Sequence, residues 1–266
     1  MTKKVILITG ASAGIGRACA DLLQSAGWTV VGASRRGTSS GSWRGMTMDV
    51  EDDASVSQGF TDVLTEHGHL DAVLACAGWG LAGAAELTPI EDAKAQLETN
   101  FWGVVRTINA ALPIFRRQGS GRIVIVGSIC GVIGIPYQAF YCASKYALEG
   151  YGESLAYEVE PFGVRVTIVE PGNIKTEFTR QRRNVAPTGE DPYEVASEKA
   201  IRTMERDEMN GSDPRVVAKA IERLLRAKNP PRRVAVGKFG ERLGVIAKRV
   251  MPFTLFEKSA RRALGV

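Results

Sequence analysis

The sequence predicts an α/β fold, a single domain built on a doubly wound, seven-stranded parallel sheet. Short apolar or β-branched runs alternate with stretches of helical periodicity, and a glycine-rich turn joins the first run to the first helical stretch. No internal repeat and no Pro/Gly/Ser linker divides the 266 residues. Near-continuous apolar strands are buried on both faces, so helices must cover both sides of the sheet.

Strands are expected at residues 5–9, 29–34, 46–49, 71–75, 122–127, 164–169 and 233–236, each rich in Val, Ile, Leu, Met or Ala. Helices are expected at 15–26, 54–67, 90–98, 101–118, 140–160 and 214–227, where apolar residues recur at helical spacing. The cluster from Gly37 to Gly41 reads as a loop after the second strand. Residues 173–213, rich in Arg, Glu, Asp and Pro, interrupt the alternation after the sixth strand. Ligands of such sheets bind at the carboxyl ends of the strands, so this segment is expected to be a substrate lid.

A chain of this length can bury about three-quarters of its unfolded surface without disulfide staples. Cys19, Cys76, Cys130 and Cys142 form no CxxC pair and lie in or beside apolar runs, which suits free thiols in a reducing compartment. The first apolar stretch is too short for a signal-peptide core, so the expected location is cytoplasmic. Residues 123–144 carry no charge, but Gly127, Ser128, Gly131, Gly134, Pro136 and Gln138 interrupt them. A buried strand and a loop explain that run better than a membrane span.

The net charge of +5 is confined to residues 238–266, which hold seven Lys or Arg and two Glu. A nucleic-acid protein would carry basic residues through its fold, so that class is excluded. The basic tail also holds Phe239, Leu243, Ile246, Met251, Phe253, Leu255 and Phe256. Contact with an anionic membrane is one use of it, but Pro252 breaks its helix. Packing over the active site or against another subunit is equally simple, and membrane contact is the less favoured expectation.

Thr9-Gly10-Ala11-Ser12-Ala13-Gly14-Ile15-Gly16 follows the first strand and opens the first helix. Gly10 permits a tight turn, Gly14 lets backbone approach a pyrophosphate, and Gly16 lets helix and strand pack closely. Unpaired helix N–H groups beside Ser12, Ala13 and Ile15 would favour the anion. Tyr141 and Lys145, four residues apart, leave one face of a helix. A phenol beside an ammonium is a tunable proton donor.

The spacing Gly-x-x-x-Gly-x-Gly resembles that of the short-chain dehydrogenase/reductase family, a Rossmann fold. Asp49 with Val50 matches the family's adenine contact, and Ala77-Gly78 matches part of its Asn-Asn-Ala-Gly motif. Pro171-Gly172, Ile174 and Thr176 match its nicotinamide-side segment, while Asn100, Ser128, Tyr141 and Lys145 match its catalytic tetrad. The resemblance covers about residues 3–237. Ala75-Cys76 stand where the family has two asparagines, which implies altered local stability rather than lost chemistry.

The second strand ends Ser34-Arg35-Arg36, with no carboxylate to accept bonds from a ribose 2′-hydroxyl. Two guanidiniums suit a 2′-phosphate, so the expected cofactor is NADP(H). Reducing a ketone places negative charge on its oxygen, where Ser128 and Tyr141 would donate. Free tyrosine has a pKa near 10, and the Lys145 ammonium with the oxidised nicotinamide is expected to lower it. The resemblance implies that Lys145 also binds the nicotinamide ribose and that Asn100 helps hold a water leading to solvent.

Residues 121–178 most resemble the 17β-hydroxysteroid and retinol dehydrogenases, which act on hydrophobic alcohols and ketones. Trp79, Leu81, Ile129, Cys130, Tyr137, Phe178 and Met204 are the expected substrate-facing residues. Two rivals stand beside an oxidoreductase: a sugar-nucleotide epimerase or dehydratase, and a non-enzymatic NADP(H) sensor or scaffold. The first usually has a different glycine turn and a larger C-terminal domain; the second would tolerate loss of the tetrad. His67 and His69 read as loop residues without a metal. Small residues at Gly103, Ala110, Ala143, Ala147 and Gly150, with the family's habit of pairing through these helices, imply a homodimer or homotetramer.

Overall fold

A computed structural model describes residues 3–185 and 191–264. The main sheet holds seven parallel strands: β1 (Val5–Thr9), β2 (Thr29–Ser34), β3 (Arg44–Thr47), β4 (Ala72–Ala75), β6 (Gly121–Val126), β7 (Val164–Pro171) and β9 (Arg233–Val236). Their spatial order is β3-β2-β1-β4-β6-β7-β9. The chain builds outward from β1 and then returns to its other side, so the order reverses between β1 and β4. Such a switch point opens a crevice at the carboxyl ends of the strands.

Both sheet faces are buried, and the pleat assigns alternate residues to two cores. Val5 and Leu7 join the core under α2 (Asp53–His67), α4 (Gly103–Gln118) and α5 (Ala139–Val159). Ile6 and Ile8 join the core under α1 (Gly14–Ser25) and α8 (Pro214–Arg226). Two of these helices start where the sequence supplies caps. Asp52 accepts from the N–H groups of Ala54 and Ser55 at α2, while Asp213 accepts from Arg215 N–H just before Pro214 at α8.

Several boundaries differ from the sequence expectation. β3 covers Arg44–Thr47 rather than 46–49, because it pairs with Val31 to Ser34 and ends where β2 ends. The stretch from 90 to 118 is one helical path, in which α3 (Ile90–Leu97) and α4 are joined by a π-helical turn, Glu98–Trp102. The 173–213 segment is more regular than expected: it holds α6 (Phe178–Gln181), β8 (Arg183–Asn184) and α7 (Glu194–Met209). β8 pairs with β5 (Leu81–Ala82), and residues 186–190 of the expected lid lie outside the described residues. The tail forms α9 (Phe239–Val250) and α10 (Phe253–Leu264), separated at Pro252. Among the described residues, no helix is long and apolar enough to cross a membrane.

Gly121, the first residue of β6, marks one place where the sheet tolerates no side chain. A Cβ there would lie 2.6 Å from two ring atoms of the fully buried Phe115. Gly121→Ala should therefore destabilise the fold by about 1–3 kcal/mol, the usual cost of overpacking, and thermal melting checks it.

Candidate active site

The loops at the carboxyl ends of the strands enclose a cleft of about 550 Å³. Gly10 and Gly14 have φ of +70° and +55°, values that favour glycine. A Cβ on Gly10 would stand 2.9 Å from the backbone of Ala77, and one on Gly16 would stand 2.8 Å from the carbonyl carbon of Gly10. The turn is therefore pressed against both β4 and its own helix. At the start of α1 the capping position is Ala13, which makes no side-chain cap, and the first turn holds no acid. Its N–H groups face the cleft without a protein carboxylate to satisfy them.

The departure at Ala75-Cys76 has a local replacement. Thr9 Oγ1 accepts from the N–H groups of Cys76 and Ala77 at 3.0 and 3.2 Å, tying the end of β1 to the end of β4. An asparagine pair is not needed for that link.

At the adenosine end of the cleft, Ser34, Arg35, Arg36, Asp49 and Val50 line the wall. Ser34 Oγ is buried without a hydrogen-bond partner. Arg36 reaches Ser12 Oγ at 3.4 Å, and neither Arg35 nor Arg36 forms an ion pair among the described residues. Two guanidiniums without a carboxylate partner thus stand beside an orphaned hydroxyl at this end of the cleft, with Asp49 on the same wall. Pro171, Gly172, Ile174 and Thr176 close the other side, after β7.

Ser128, Tyr141 and Lys145 line the same cleft and are each buried. Ser128 follows β6 and accepts from Cys130 N–H at 3.1 Å, which fixes its hydroxyl at the head of a short 3-10 turn. Tyr141 lies in the first turn of α5, with its ring centroid 5.8 Å from that of Phe178. Lys145, one turn on, places Nζ 5.8 Å from the Tyr141 ring centroid and donates to Val126 O at 3.0 Å.

Burial dominates the electrostatics of the cleft in the protein alone. Its phenol is raised well above the ordinary tyrosine value by burial; Cys130, Cys142 and Glu208 push it further, and a hydrogen bond with Ser128 pulls it back. In the protein alone, Lys145 therefore does not produce a depressed phenol. Lys145 itself is pushed down to about 8 by burial, against the pull of Cys76, Cys130 and Glu149. Behind it Glu149 meets Arg233 at 2.7 Å, yet burial still lifts that carboxyl to about 7.

Asn100 stands behind the cleft rather than in its lining, fully buried in the π-helical turn. Its Oδ1 accepts from Trp79 N–H at 3.0 Å, while Nδ2 donates to Trp79 O and to Ser144 Oγ at 3.0 and 3.2 Å. Ser144 Oγ in turn donates to Tyr141 O at 2.7 Å. Both amide donors are committed, so the side chain positions the loop after β4 against the helix that carries Tyr141 and Lys145.

Trp79, Ile129, Cys130, Phe178 and Met204 line the cleft as expected, together with Ala77 and Gly78. Tyr137 and Leu81 do not. Tyr137, at φ +62°, packs with Ile135 against Ala82, Ala200 and Met204, and Leu81 is buried in β5. Sequence reasoning missed the polar part of the wall: Gln138, Gln181, Asp207 and Glu208. Glu208 pairs with the buried Arg182 and accepts from Thr179 Oγ1 at 2.7 Å. Ser197, Ala200, Ile201 and Met204, at helical spacing, were the signal for the helix that supplies two of these residues.

The family profile described as short chain dehydrogenase matches residues 4–186. A 3-ketodihydrosphingosine reductase of Bacteroides thetaiotaomicron is 39% identical over 263 residues, covering 98% of both chains. Human 17-beta-hydroxysteroid dehydrogenase type 1 is 37% identical over 195 residues, 67% of this chain and 59% of that one. The crystal structure of a short-chain dehydrogenase from Streptomyces avermitilis superposes with a TM-score of 0.82 at 32% identity, covering 98% of each chain. The glycine turn, the reversal of strand order and the buried Ser128, Tyr141 and Lys145 thus sit in a chain that belongs to the short-chain dehydrogenase/reductase family of oxidoreductases.

Proposed function

We propose that this protein interconverts a carbonyl and a secondary alcohol on a hydrophobic, lipid-like substrate, with NADP(H) as the redox partner. The observation that carries the reading is the convergence of Ser128, Tyr141 and Lys145 on the cleft that also receives the uncapped helix α1. The turn from Gly10 to Gly16, Ser34 with Arg35 and Arg36, and the segment from Pro171 to Thr176 would hold the dinucleotide. Bound there, it supplies or takes up a hydride.

The protein's own residues do the proton work. Tyr141, whose raised pKa keeps the phenol protonated at neutral pH, gives its proton to the carbonyl oxygen as negative charge develops there. Ser128 Oγ donates to the same oxygen and fixes its position. Lys145 holds a positive charge beside the phenolate that remains, and Phe178 with its apolar neighbours excludes water.

Trp79, Ile129, Cys130, Ile135, Phe178 and Met204 form an apolar wall suited to an alkyl chain or a fused ring. The Bacteroides relative, named for a long-chain keto lipid, supports the lipid reading. Pairing of chains through α4 and α5 is supported by exposed Trp102, Ala143, Tyr146 and Gly150 on those helices and the turn that starts them. The free cysteines suit a reducing cytoplasm.

The test is oxidation of NADPH and NADH across keto-sphingoid, steroid, retinoid and quinone substrates. Turnover is expected with at least one lipid-like ketone. Tight cofactor binding with no turnover across the panel would favour a sensor. Arg35→Ala combined with Arg36→Ala should weaken NADPH by roughly 10-fold or more, the worth of one charge-assisted contact, and leave NADH nearly unchanged. Equal weakening of the two cofactors, read by fluorescence titration, would undo the 2′-phosphate assignment.

A further inference from the structure

The two C-terminal helices present an apolar face that points away from the protein. In α9, Phe239, Leu243, Ile246 and Val250 are 78%, 51%, 57% and 75% exposed. At ~100° per residue they fall within an arc of about 60°, a single stripe. The opposite side of the same helix faces the protein. There Val245 is buried, and Glu241 accepts from Asn173 N–H and Lys238 N–H at 2.9 and 2.7 Å. Beyond Pro252, α10 begins with Phe253, 66% exposed. Lys248 lies 4.8 and 5.0 Å from the ring centroids of Phe253 and Phe256, joining the two helices across the break.

The charge on this surface is of one sign. The seven basic residues of the tail face only two acids; Glu241 is turned inward and Glu257 is paired with Arg261. Arg242 and Arg249 lie at about 70° and 90° from the stripe axis, on its rim, with Arg249 also within electrostatic reach of Glu149 and Glu170. We propose that this face docks, reversibly, on an anionic phospholipid bilayer, with the stripe in the headgroup boundary and the rim arginines on lipid phosphates.

A second copy of the chain fits the face poorly. A two-fold dimer sets the same patch against itself, so the rim arginines of one subunit would approach those of the other. A bilayer supplies the opposite charge. The surface is also coupled to the cleft: Glu241 holds Asn173, a cleft residue, and α10 packs on α7, which carries Met204, Asp207 and Glu208. A lipid-borne ketone could then pass to the site without crossing bulk water. Docking itself goes beyond the proposed reaction and does not depend on it.

The experiment is sedimentation of the full chain with vesicles of phosphatidylcholine alone and of phosphatidylcholine doped with phosphatidylglycerol, without substrate. Binding is expected to the doped vesicles and to weaken as salt rises. Phe239→Ser with Val250→Ser, and separately Arg242→Glu, should each reduce that partitioning by roughly 10-fold or more, with melting temperature and NADPH affinity unchanged. No binding to doped vesicles, or equal binding by the variants, overturns the proposal. So does a wild-type dimer that the Phe239→Ser, Val250→Ser variant converts to monomer by light scattering, since the occupant is then a second copy. Because vesicle binding is read without turnover, its failure leaves the assigned reaction standing, and an inactive enzyme that still binds vesicles leaves the docking face standing.

Discussion

Tyr141→Phe should lower kcat/KM for ketone reduction by roughly 10²-fold or more, the scale of a lost general acid, while NADPH affinity stays nearly unchanged. The exchange removes one oxygen from a buried ring that keeps its neighbour Phe178. Packing is retained, and the lost partner is the Ser128 hydroxyl, which still accepts from Cys130 N–H at 3.1 Å. A melting temperature close to that of the wild type is expected with the loss of turnover. Unchanged turnover would remove Tyr141 from the chemistry.

Lys145→Met should separate activity from stability. The folded pKa of about 8 lies below the ordinary lysine value of 10.5, so the folded protein binds this proton less tightly than the unfolded chain does. Below pH 8 the buried ammonium costs stability, on the order of 3 kcal/mol at pH 7, and the cost fades as pH rises from 8 to 10.5. Methionine carries no charge and fills much the same volume. It leaves Val126 O without its donor, a loss of about 1 kcal/mol, so the variant should be at least as stable as the wild type at pH 7.

Activity should move the other way. Loss of the ammonium beside Tyr141 should lower kcat/KM by roughly 10²-fold, as for other groups essential to a proton transfer. In the wild type, kcat/KM should fall above about pH 8 as free Lys145 loses its proton, and that alkaline limb should vanish in the variant. Calorimetry against pH, with initial rates over the same range, checks both halves. A variant less stable at pH 7 and unaltered in its pH profile would contradict the electrostatic reading of this lysine.

What was legible in the sequence is what depends on neighbours along the chain. The glycine turn, the Tyr141–Lys145 spacing and the seven apolar runs are local patterns, and each lies in the element expected of it, with β3 moved two residues toward the N-terminus. What was not legible depends on distant partners. β3 ends at Thr47 because β2 ends at Ser34, and no property of residues 46–49 reports that. The Tyr141 phenol is raised in the protein alone because strands, loops and α7 close around it, a burial that no neighbour along the chain reports. Tyr137 left the expected substrate wall because it packs against Ala82, Ala200 and Met204, residues distant along the chain. α7 was hidden by its Arg- and Glu-rich surface, since only Ser197, Ala200 and Met204 are buried.

The π-helical turn at Glu98–Trp102 has a consequence for how the helical path from 90 to 118 can be measured. One extra residue in a turn advances the phase of everything after it by about 100°. The turns before it send Gln96 to Trp79 O at 2.8 Å, on the loop beside the cleft, and the turns after it seat Val104, Ile108 and Ala111 in the sheet core. A straight helix would align one of these faces and expose the other. The segment works as a gearing between two surfaces of different orientation, and Asn100 is the tooth at the change of phase.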